Sequence, residues 1–227
     1  MLQNVNGITL YYEKTGEGQP IILLHGNGED HQIFDVLTDQ LKENFSVYAI
    51  DSRGHGKSTR VRELDYCSMA EDIAEFIKIL GLAKPILYGF SDGGIIGLII
   101  AYTYSELLSK LIISGANLTP EGVKKRYLNL FRFLYYITRN PNFRLMATQP
   151  HIPVEELHKI VVPTLVLAGS KDLIKEEHTI QIAEAIPNCT MQILTGEDHG
   201  SYVINSNKLY PILKPFLSEE DVAKWIS

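Results

Sequence analysis

Short apolar runs and longer amphipathic runs alternate along most of the chain. Several short runs are apolar almost throughout, which is typical of strands in a parallel sheet that helices cover on both faces. The longer runs have apolar residues at helical spacing. This pattern predicts strands at 20–24, 46–50, 85–89, 110–114, 163–169 and 190–194, and helices at 30–43, 69–80, 93–104, 175–186 and 206–217.

The chain begins with a different pattern. Leu2–Val5 and residues 8–12 are strand-like runs joined by Asn6-Gly7. Asn-Gly favours the two-residue turn of a β-hairpin, because both residues tolerate positive φ. A hairpin followed by strand–helix alternation indicates βαβ units, so we expect a doubly wound α/β architecture.

The segment 117–163 interrupts this alternation. It places roughly 45 residues between two predicted strands, which is long for a crossover. Its part at 121–144 is helical by pattern and holds six Lys and Arg side chains against a single acid, Glu121. We expect one domain over residues 1–227, with 117–163 as a helical insertion over the sheet. The apolar stripe of its helix comprises Val123, Tyr127, Leu130, Phe131 and Leu134.

Composition narrows the class of protein. With 227 residues, 45% hydrophobic and 21% charged, the chain is ordinary for a globular domain. Its 21 Lys and Arg against 27 Asp and Glu give a net charge of −6, which offers no footprint for nucleic acid or an anionic membrane. No signal peptide is recognisable, and no apolar run reaches the ~20 residues of a membrane span. Because only Cys67 and Cys189 are present, we expect a cytoplasmic protein without a disulfide framework.

Gly89-Phe90-Ser91-Asp92-Gly93 lies between a predicted strand and a predicted apolar helix. In this context a G-x-S-x-G motif forms a nucleophile elbow, a tight turn that exposes the serine hydroxyl. Gly89 and Gly93 leave room where a Cβ would collide with neighbouring backbone. The N-terminus of the following helix favours negative charge developing beside Ser91. The motif therefore predicts Ser91 as a nucleophile.

A serine nucleophile needs a base, and the base needs an orienting carboxylate. After an elbow of this kind, the acid and the histidine follow in that order along the chain. His199 lies in a polar loop after the last predicted strand, whereas His178 lies inside a predicted helix. Asp172 directly follows the strand 163–169, at the sheet edge where ligand-facing residues gather. We predict His199 as the base and Asp172 as the acid, with Glu197 in reserve; the alternatives are an ordinary loop histidine and a helix-capping aspartate.

Acyl transfer also needs two N–H donors for the oxyanion of the tetrahedral intermediate. The backbone N–H of Asp92, directly after the nucleophile, is the first candidate, and the backbone N–H of Asn27, in the loop after the strand 20–24, is the second. We expect the Asp92 carboxylate to turn into the first turn of its helix. For His25 we expect a structural, hydrogen-bonded role.

Two other kinds of site are disfavoured. Residues 51–58 end in Gly56-Lys57-Ser58 like a phosphate-binding loop, but position 51 is aspartate where that loop needs glycine. We expect instead a turn held by Asp51 and Arg53. The histidines lack metal-ligand spacing, so we expect neither a metal nor a cofactor.

Together these motifs resemble the α/β-hydrolase superfamily, over Leu2 to about Leu217. The similarity is strongest to small bacterial esterases, lactonases and perhydrolases. It implies an eight-stranded, mostly parallel sheet with helices on both faces and a short helical lid, here 117–163, between strands six and seven. Ser91 argues against haloalkane dehalogenases and epoxide hydrolases, which resemble this fold but use aspartate as the nucleophile. Asp92 argues against prolyl aminopeptidases, which usually have Trp at this position. The resemblance rests on His25-Gly26, the D-x-R-G-x-G-x-S pattern at 51–58, the motif at 89–93, Asp172 and His199.

The expected function is therefore that of a serine hydrolase acting on a small carboxylic ester through an acyl-enzyme. The same residues would serve a perhydrolase, lactonase, thioesterase or C–C hydrolase, and a low-turnover ligand receptor is the alternative of another class. Tyr127, Phe131 and Tyr135 are candidates for an acyl pocket, with the basic lid residues attracting an anionic substrate tail. The alternative is a lid whose aromatic side chains pack on the sheet and whose charges are solvated. As partner we expect a small-molecule substrate, and neither nucleic acid nor a membrane.

Overall fold

The structure, a computed structural model, describes residues 1–218. The predicted single domain also includes 219–227, which lie outside the described residues. One sheet contains the strands β1 (Leu2–Val5), β2 (Ile8–Thr15), β3 (Gln19–Leu24), β4 (Phe45–Ile50), β5 (Ile86–Phe90), β6 (Lys110–Ser114), β7 (Thr164–Gly169) and β8 (Cys189–Leu194).

The strands follow the order β1-β2-β4-β3-β5-β6-β7-β8 across the sheet. The pairs β1/β2 and β2/β4 are antiparallel, and all later pairs are parallel. The register sets Leu24 opposite Gly89, and Ser114 opposite both Phe90 and Leu167. The carboxyl ends of β3, β5, β6 and β7 therefore meet at one edge. The predicted eight-stranded, mostly parallel sheet is confirmed.

Helices cover both faces of this sheet. They are α1 (Asp35–Leu41), α2 (Tyr66–Ile79), α3 (Asp92–Thr103), α4 (Lys125–Thr138), α5 (Pro141–Thr148), α6 (Val154–Leu157), α7 (Glu176–Ala185) and α8 (Leu209–Leu217). Along β3, Ile22 and Leu24 pack into the core beneath α2, α3 and α7, whereas Ile21 and Leu23 pack into the core beneath α1 and α8. The two-residue period of a strand explains this division, because successive side chains point to opposite faces.

Two predicted helices differ from the observed ones. The segment 30–43 is a 3-10 turn, His31–Phe34, followed by the short helix α1, because the Asp30 side chain accepts the N–H of Gln32 and starts a tight turn there. The helix predicted at 206–217 begins only at Leu209. Polar residues ahead of each helix form turns of their own, which apolar periodicity does not record.

The long insertion between β6 and β7 contains a 3-10 turn (Pro120–Gly122) and the helices α4, α5 and α6. Its predicted apolar stripe is partly wrong. Val123 precedes α4 and forms an isolated β-bridge with Ile174, while Leu130 is 47% exposed. Within α4, Leu128 is buried, and Tyr127 and Phe131 pack on Val123 and Ile174, so the buried face is set by contact with these neighbours. None of the helices within residues 1–218 has both the length and the hydropathy needed to cross a bilayer.

Candidate active site

Ser91 lies at the junction of β5 and α3 with φ 53° and ψ −113°. Positive φ is unusual for a residue with a Cβ, and here it turns the side chain away from both elements. A Cβ at Gly89 would collide with the backbone carbonyl of Gly93, and one at Gly93 with that of Leu24. The two glycines thus permit the close packing of α3 on β5 and β3 that holds Ser91 in this conformation.

Ser91, His199 and Asp172 form one chain of hydrogen bonds. His199 Nε2 is 3.0 Å from Ser91 Oγ, and His199 Nδ1 is 2.6 Å from Asp172 Oδ1. The carboxylate only accepts, so in the neutral imidazole Nδ1–H donates to Asp172 and Nε2 is left to accept the serine hydroxyl. The ring also packs on Phe90, with centroids 4.9 Å apart. These hydrogen bonds join Ser91 to His199, which lies 108 positions further along the sequence.

Asp172 is 2% exposed, in the loop after β7. Its Oδ1 also accepts the N–H of Ile174 at 2.9 Å. The ammonium of Lys124, at the root of the lid, donates to the Asp172 backbone carbonyl. The N–H of Ile174 and the ammonium of Lys124 therefore both hold the loop that contains Asp172. The reserve acid Glu197 bonds instead to Lys208 and Ser201.

The two predicted oxyanion donors lie beside Ser91. Asp92 and Asn27 both line the cavity that contains Ser91 and His199. The N–H of Asp92 is the first of α3 and has no acceptor within the helix. Within residues 1–218, neither this N–H nor that of Asn27 donates to a protein acceptor. Their use by an oxyanion stays a prediction.

The Asp92 side chain differs from its predicted position. It does not turn into the first turn of α3 but accepts hydrogen bonds from Tyr66 OH at 2.7 Å and from Asn27 Nδ2 at 2.8 Å. Burial raises the pKa of Asp92, although the hydrogen bonds from Tyr66 and Asn27 act in the opposite direction. The carboxylate thereby ties the loop after β3 to the start of α2. Its partners lie 26 and 65 positions away, beyond the reach of local pattern.

The cavity above Ser91 has a volume of about 230 Å³. Of the three predicted lid aromatics, the structure brings Phe131 to its wall; Tyr127 packs in the small cluster with Val123, and Tyr135 lies beside Arg139. The mixed lining comprises Gly26, Asn27, Glu29, Tyr66, Phe90, Ser91, Asp92, Asn117, Val123, Phe131, Met146, Gln149, Leu173, Ile174 and His199.

This lining contains two carboxyl groups, those of Glu29 and Asp92, and no Lys or Arg. Two of the basic residues of the insertion pair with acids outside the cavity: Arg132 lies 3.9 Å from Glu121, and Arg144 lies 3.3 Å from Glu63. An anionic substrate tail drawn in by lid cations is therefore not supported by the geometry.

Buried polar groups brace the loops behind the site. His25 is 1% exposed, its Nδ1 lies 2.7 Å from Gly26 O, and its Nε2 accepts the N–H of Ser52. Desolvation lowers the pKa of His25 to about 4, so it is neutral under ordinary conditions. Its structural role agrees with the prediction.

Asp51 and Arg53 were both predicted to hold the turn at 51–58, but they make different contacts. Asp51 accepts the N–H of Lys57 inside the turn and the N–H of His31 outside it. Arg53 instead makes a two-pronged ion pair with Asp72 on α2.

Asp30, His31 and Asp51 are the one group of potential metal ligands found within residues 1–218, with ligand atoms within 4.8 Å of one another. His31 Nδ1 lies 2.6 Å from Asp51 Oδ1, and Asp30 caps the 3-10 turn. Hydrogen bonds among the residues themselves account for the cluster, and we assign it no metal.

The sequence patterns did not indicate that Glu29, Tyr66, Asn117 and Gln149 line the cavity. Glu29 and Asn117 follow β3 and β6, so the rule that strand ends face the ligand was a usable signal for both. Tyr66 and Gln149 begin and end helices far from Ser91 in sequence, and no local motif marks them.

Comparisons with known proteins agree with this architecture. The family described as the alpha/beta hydrolase fold matches residues 19–151. The chain is 27% identical to the AB hydrolase superfamily protein YisY of Bacillus subtilis (strain 168), over 92% of this chain and 95% of that protein.

Two solved structures illustrate the shared fold. A thermophilic esterase from Thermogutta terrifontis superimposes with a TM-score of 0.80 at 22% identity, covering 95% of this chain and 96% of the other. The enol-lactonase from Burkholderia xenovorans LB400 superimposes with a TM-score of 0.81 at 20% identity, covering 96% and 100%.

The family match spans more than half of the chain, and the protein belongs to the alpha/beta hydrolase family. It is a hydrolase of that fold.

Proposed function

We propose that this protein is a serine hydrolase that cleaves a small carboxylic ester through an acyl-enzyme intermediate. The observation that carries the proposal is the hydrogen-bonded chain from Asp172 through His199 to Ser91, which ends in a cavity. A hydroxyl 3.0 Å from an acceptor imidazole nitrogen has the geometry of a nucleophile next to its base.

In the proposed mechanism Ser91 Oγ attacks the ester carbonyl while its proton passes to His199 Nε2. Asp172 stabilises the imidazolium that forms. The N–H groups of Asn27 and Asp92 stabilise the oxyanion, helped by the N-terminus of α3. The imidazolium then protonates the leaving alcohol. Water, deprotonated by the same histidine, releases the acid and restores Ser91.

The cavity supports a small, uncharged acyl group. Its volume of about 230 Å³ is below the usual range for drug-sized ligands, roughly 300–1,000 Å³. Its carboxyl groups would oppose a substrate that carries its own carboxylate. An esterase and an enol-lactonase both occur among its structural neighbours. Simple esters are therefore the first substrates to test, with lactones, thioesters, peroxide-dependent turnover and C–C cleavage as alternatives using the same residues.

The test is a time course on p-nitrophenyl acetate, butyrate and octanoate with wild type and Ser91→Ala. Loss of the nucleophile should lower kcat by about 10³-fold or more while the thermal unfolding midpoint stays close to that of wild type. Acetate and butyrate should be turned over faster than octanoate, because the cavity is small.

A Ser91→Ala variant that keeps most of the turnover would show that another group performs the reaction. Wild type that labels at Ser91 with a fluorophosphonate but releases only one equivalent of product would favour the receptor alternative over the enzyme.

A further inference from the structure

Glu29 is the one cavity-lining acid, besides Asp92, among the residues that the structure describes. It lies in the loop after β3, where its N–H donates to Gly26 O at 3.4 Å and its Oε2 accepts the N–H of Gly26 at 2.9 Å. Both polar groups of the Gly26 backbone are thus held by Glu29. The next residue along the chain from Gly26 is Asn27, the proposed oxyanion donor.

The carboxylate and the nucleophile lie on the same side of Gly26. An ideal Cβ at position 26 would lie 2.7 Å from Glu29 Oε2 and 3.1 Å from Ser91 Cβ. Only a residue without a side chain lets the two approach the backbone in this way. The half-buried Glu29 therefore sits next to the reacting centre without being part of the Ser91–His199–Asp172 chain.

Glu29 has both acidic and basic groups around it. Burial raises its pKa, while the Gly26 N–H and the charge of protonated His199 act to lower it. Asp92 and Asp30 oppose its ionisation, and Tyr88 lies close enough to feel its charge. On the outer side, the groove it shares with Gly28 also contains His55, Lys57 and Arg60.

We propose that Glu29 is a positioning residue: its carboxylate holds the Gly26–Asn27 backbone so that the Asn27 N–H faces the oxyanion. This rests on the proposed function. Two substitutions test this contact. A glutamine side chain can still accept the Gly26 N–H, whereas an alanine side chain cannot.

The experiment compares kcat and KM for p-nitrophenyl acetate in wild type, Glu29→Gln, Glu29→Ala and Asp30→Asn. Active sites are counted by fluorophosphonate labelling, so that rates refer to folded protein. Asp30→Asn is the matched control, because it removes the neighbouring charge while its side-chain oxygen can still cap Gln32.

Glu29→Ala should lower kcat by about 10- to 100-fold with KM changed by less than about threefold, because a loosened oxyanion donor acts in the transition state. Glu29→Gln should keep kcat within about threefold of wild type. Asp30→Asn should match wild type in both measurements.

A Glu29→Ala variant with wild-type kcat would overturn the positioning role, as would a Glu29→Gln variant as slow as Glu29→Ala. If Glu29→Ala does not fold, Glu29→Gln decides alone: a kcat within about threefold of wild type supports the role, and a loss of about tenfold or more overturns it. Wild type that neither labels nor turns over ester would instead overturn the proposed function, which separates the two failures.

Discussion

At the scale of single residues, the environment of His199 determines what its two nitrogens can do. Asp172 Oδ1 holds Nδ1 at 2.6 Å and is itself held by the N–H of Ile174. The tautomer that leaves Nε2 as an acceptor is favoured only while position 172 is an acceptor without a proton to donate. An exposed loop histidine has no such constraint.

Asp172→Asn should therefore reduce kcat on p-nitrophenyl acetate by about 10³- to 10⁴-fold, because an amide can donate to Nδ1 and stabilise the wrong tautomer. Asp198→Asn is a matched control: Asp198 adjoins His199 in sequence, is exposed, and accepts the N–H groups of Gly200 and Ser201. Equal losses in the two variants would mean that general loop damage, not the tautomer, explains the effect.

At the scale of elements, helix α4 has one face towards the cavity and another towards solvent. Phe131 lines the cavity, whereas Phe133, two positions along, is 58% exposed. A step of two residues is about 200° around a helix, which places the two rings on nearly opposite sides. The same residue type is thus present on the cavity side and on the solvent side of one helix.

Phe131→Ala should raise KM for p-nitrophenyl butyrate by several-fold, roughly the effect of losing part of an apolar contact of 1–2 kcal/mol, with little change in kcat. The acetate ester, with less apolar surface, should be affected less. Phe133→Ala should leave both esters unchanged. A similar rise in KM for both variants would indicate that lid stability, and not contact with the acyl chain, sets the affinity.

At the scale of the whole molecule, the site depends on the alignment of several strand ends. His25 after β3 accepts the N–H of Ser52 after β4, and its backbone carbonyl accepts the N–H of Gly93 at the start of α3. Protonation of His25 would place a proton on Nε2 against the N–H of Ser52. The buried histidine therefore stabilises the fold only in its neutral form.

Stability should fall as the pH drops from 6.5 towards 4, because the unfolded chain binds a proton at His25 near pH 6.5 while burial holds its pKa at about 4 in the fold. This contribution amounts to roughly 2 kcal/mol between pH 7.5 and pH 5. Urea unfolding at several pH values measures it.

His25→Gln should have a flatter pH dependence over this window, even if its stability is lower throughout. His151→Gln, at an exposed histidine, should keep the wild-type slope. An unchanged slope in His25→Gln would assign the acid sensitivity to other groups.

Much of the fold was predictable because its signals are local. The Asn6-Gly7 turn, the nearly continuous apolar strands and the G-x-S-x-G motif each depend on neighbours in sequence. The predictions were wrong where a boundary depends on polar side chains, as at Asp30, or where the buried face of a helix depends on its tertiary neighbours, as in α4.

Residues of the candidate site were predictable where they follow the carboxyl end of a strand. Ser91, Asp172 and His199 each follow a strand, so the parallel sheet brings them to one edge. The bond between Asp92 and Tyr66 could not be predicted in this way, because Tyr66 lies at the start of α2. Asn27 does follow β3, but the position of a residue after a strand does not show that its side chain bonds to Asp92.

The sequence by itself determined the alternation of elements, the turn at Ser91 and the order along the chain of the candidate nucleophile, acid and histidine, because periodicity and turn chemistry act between neighbours along the chain. Tertiary structure alone decided that Phe131 rather than Tyr127 or Tyr135 lines the cavity, that Asp92 bonds to Tyr66, and that Glu29 lies against Gly26 beside Ser91. These contacts arise where separate loops converge, and the distance between two loops is set by the packing of the whole sheet and its helices.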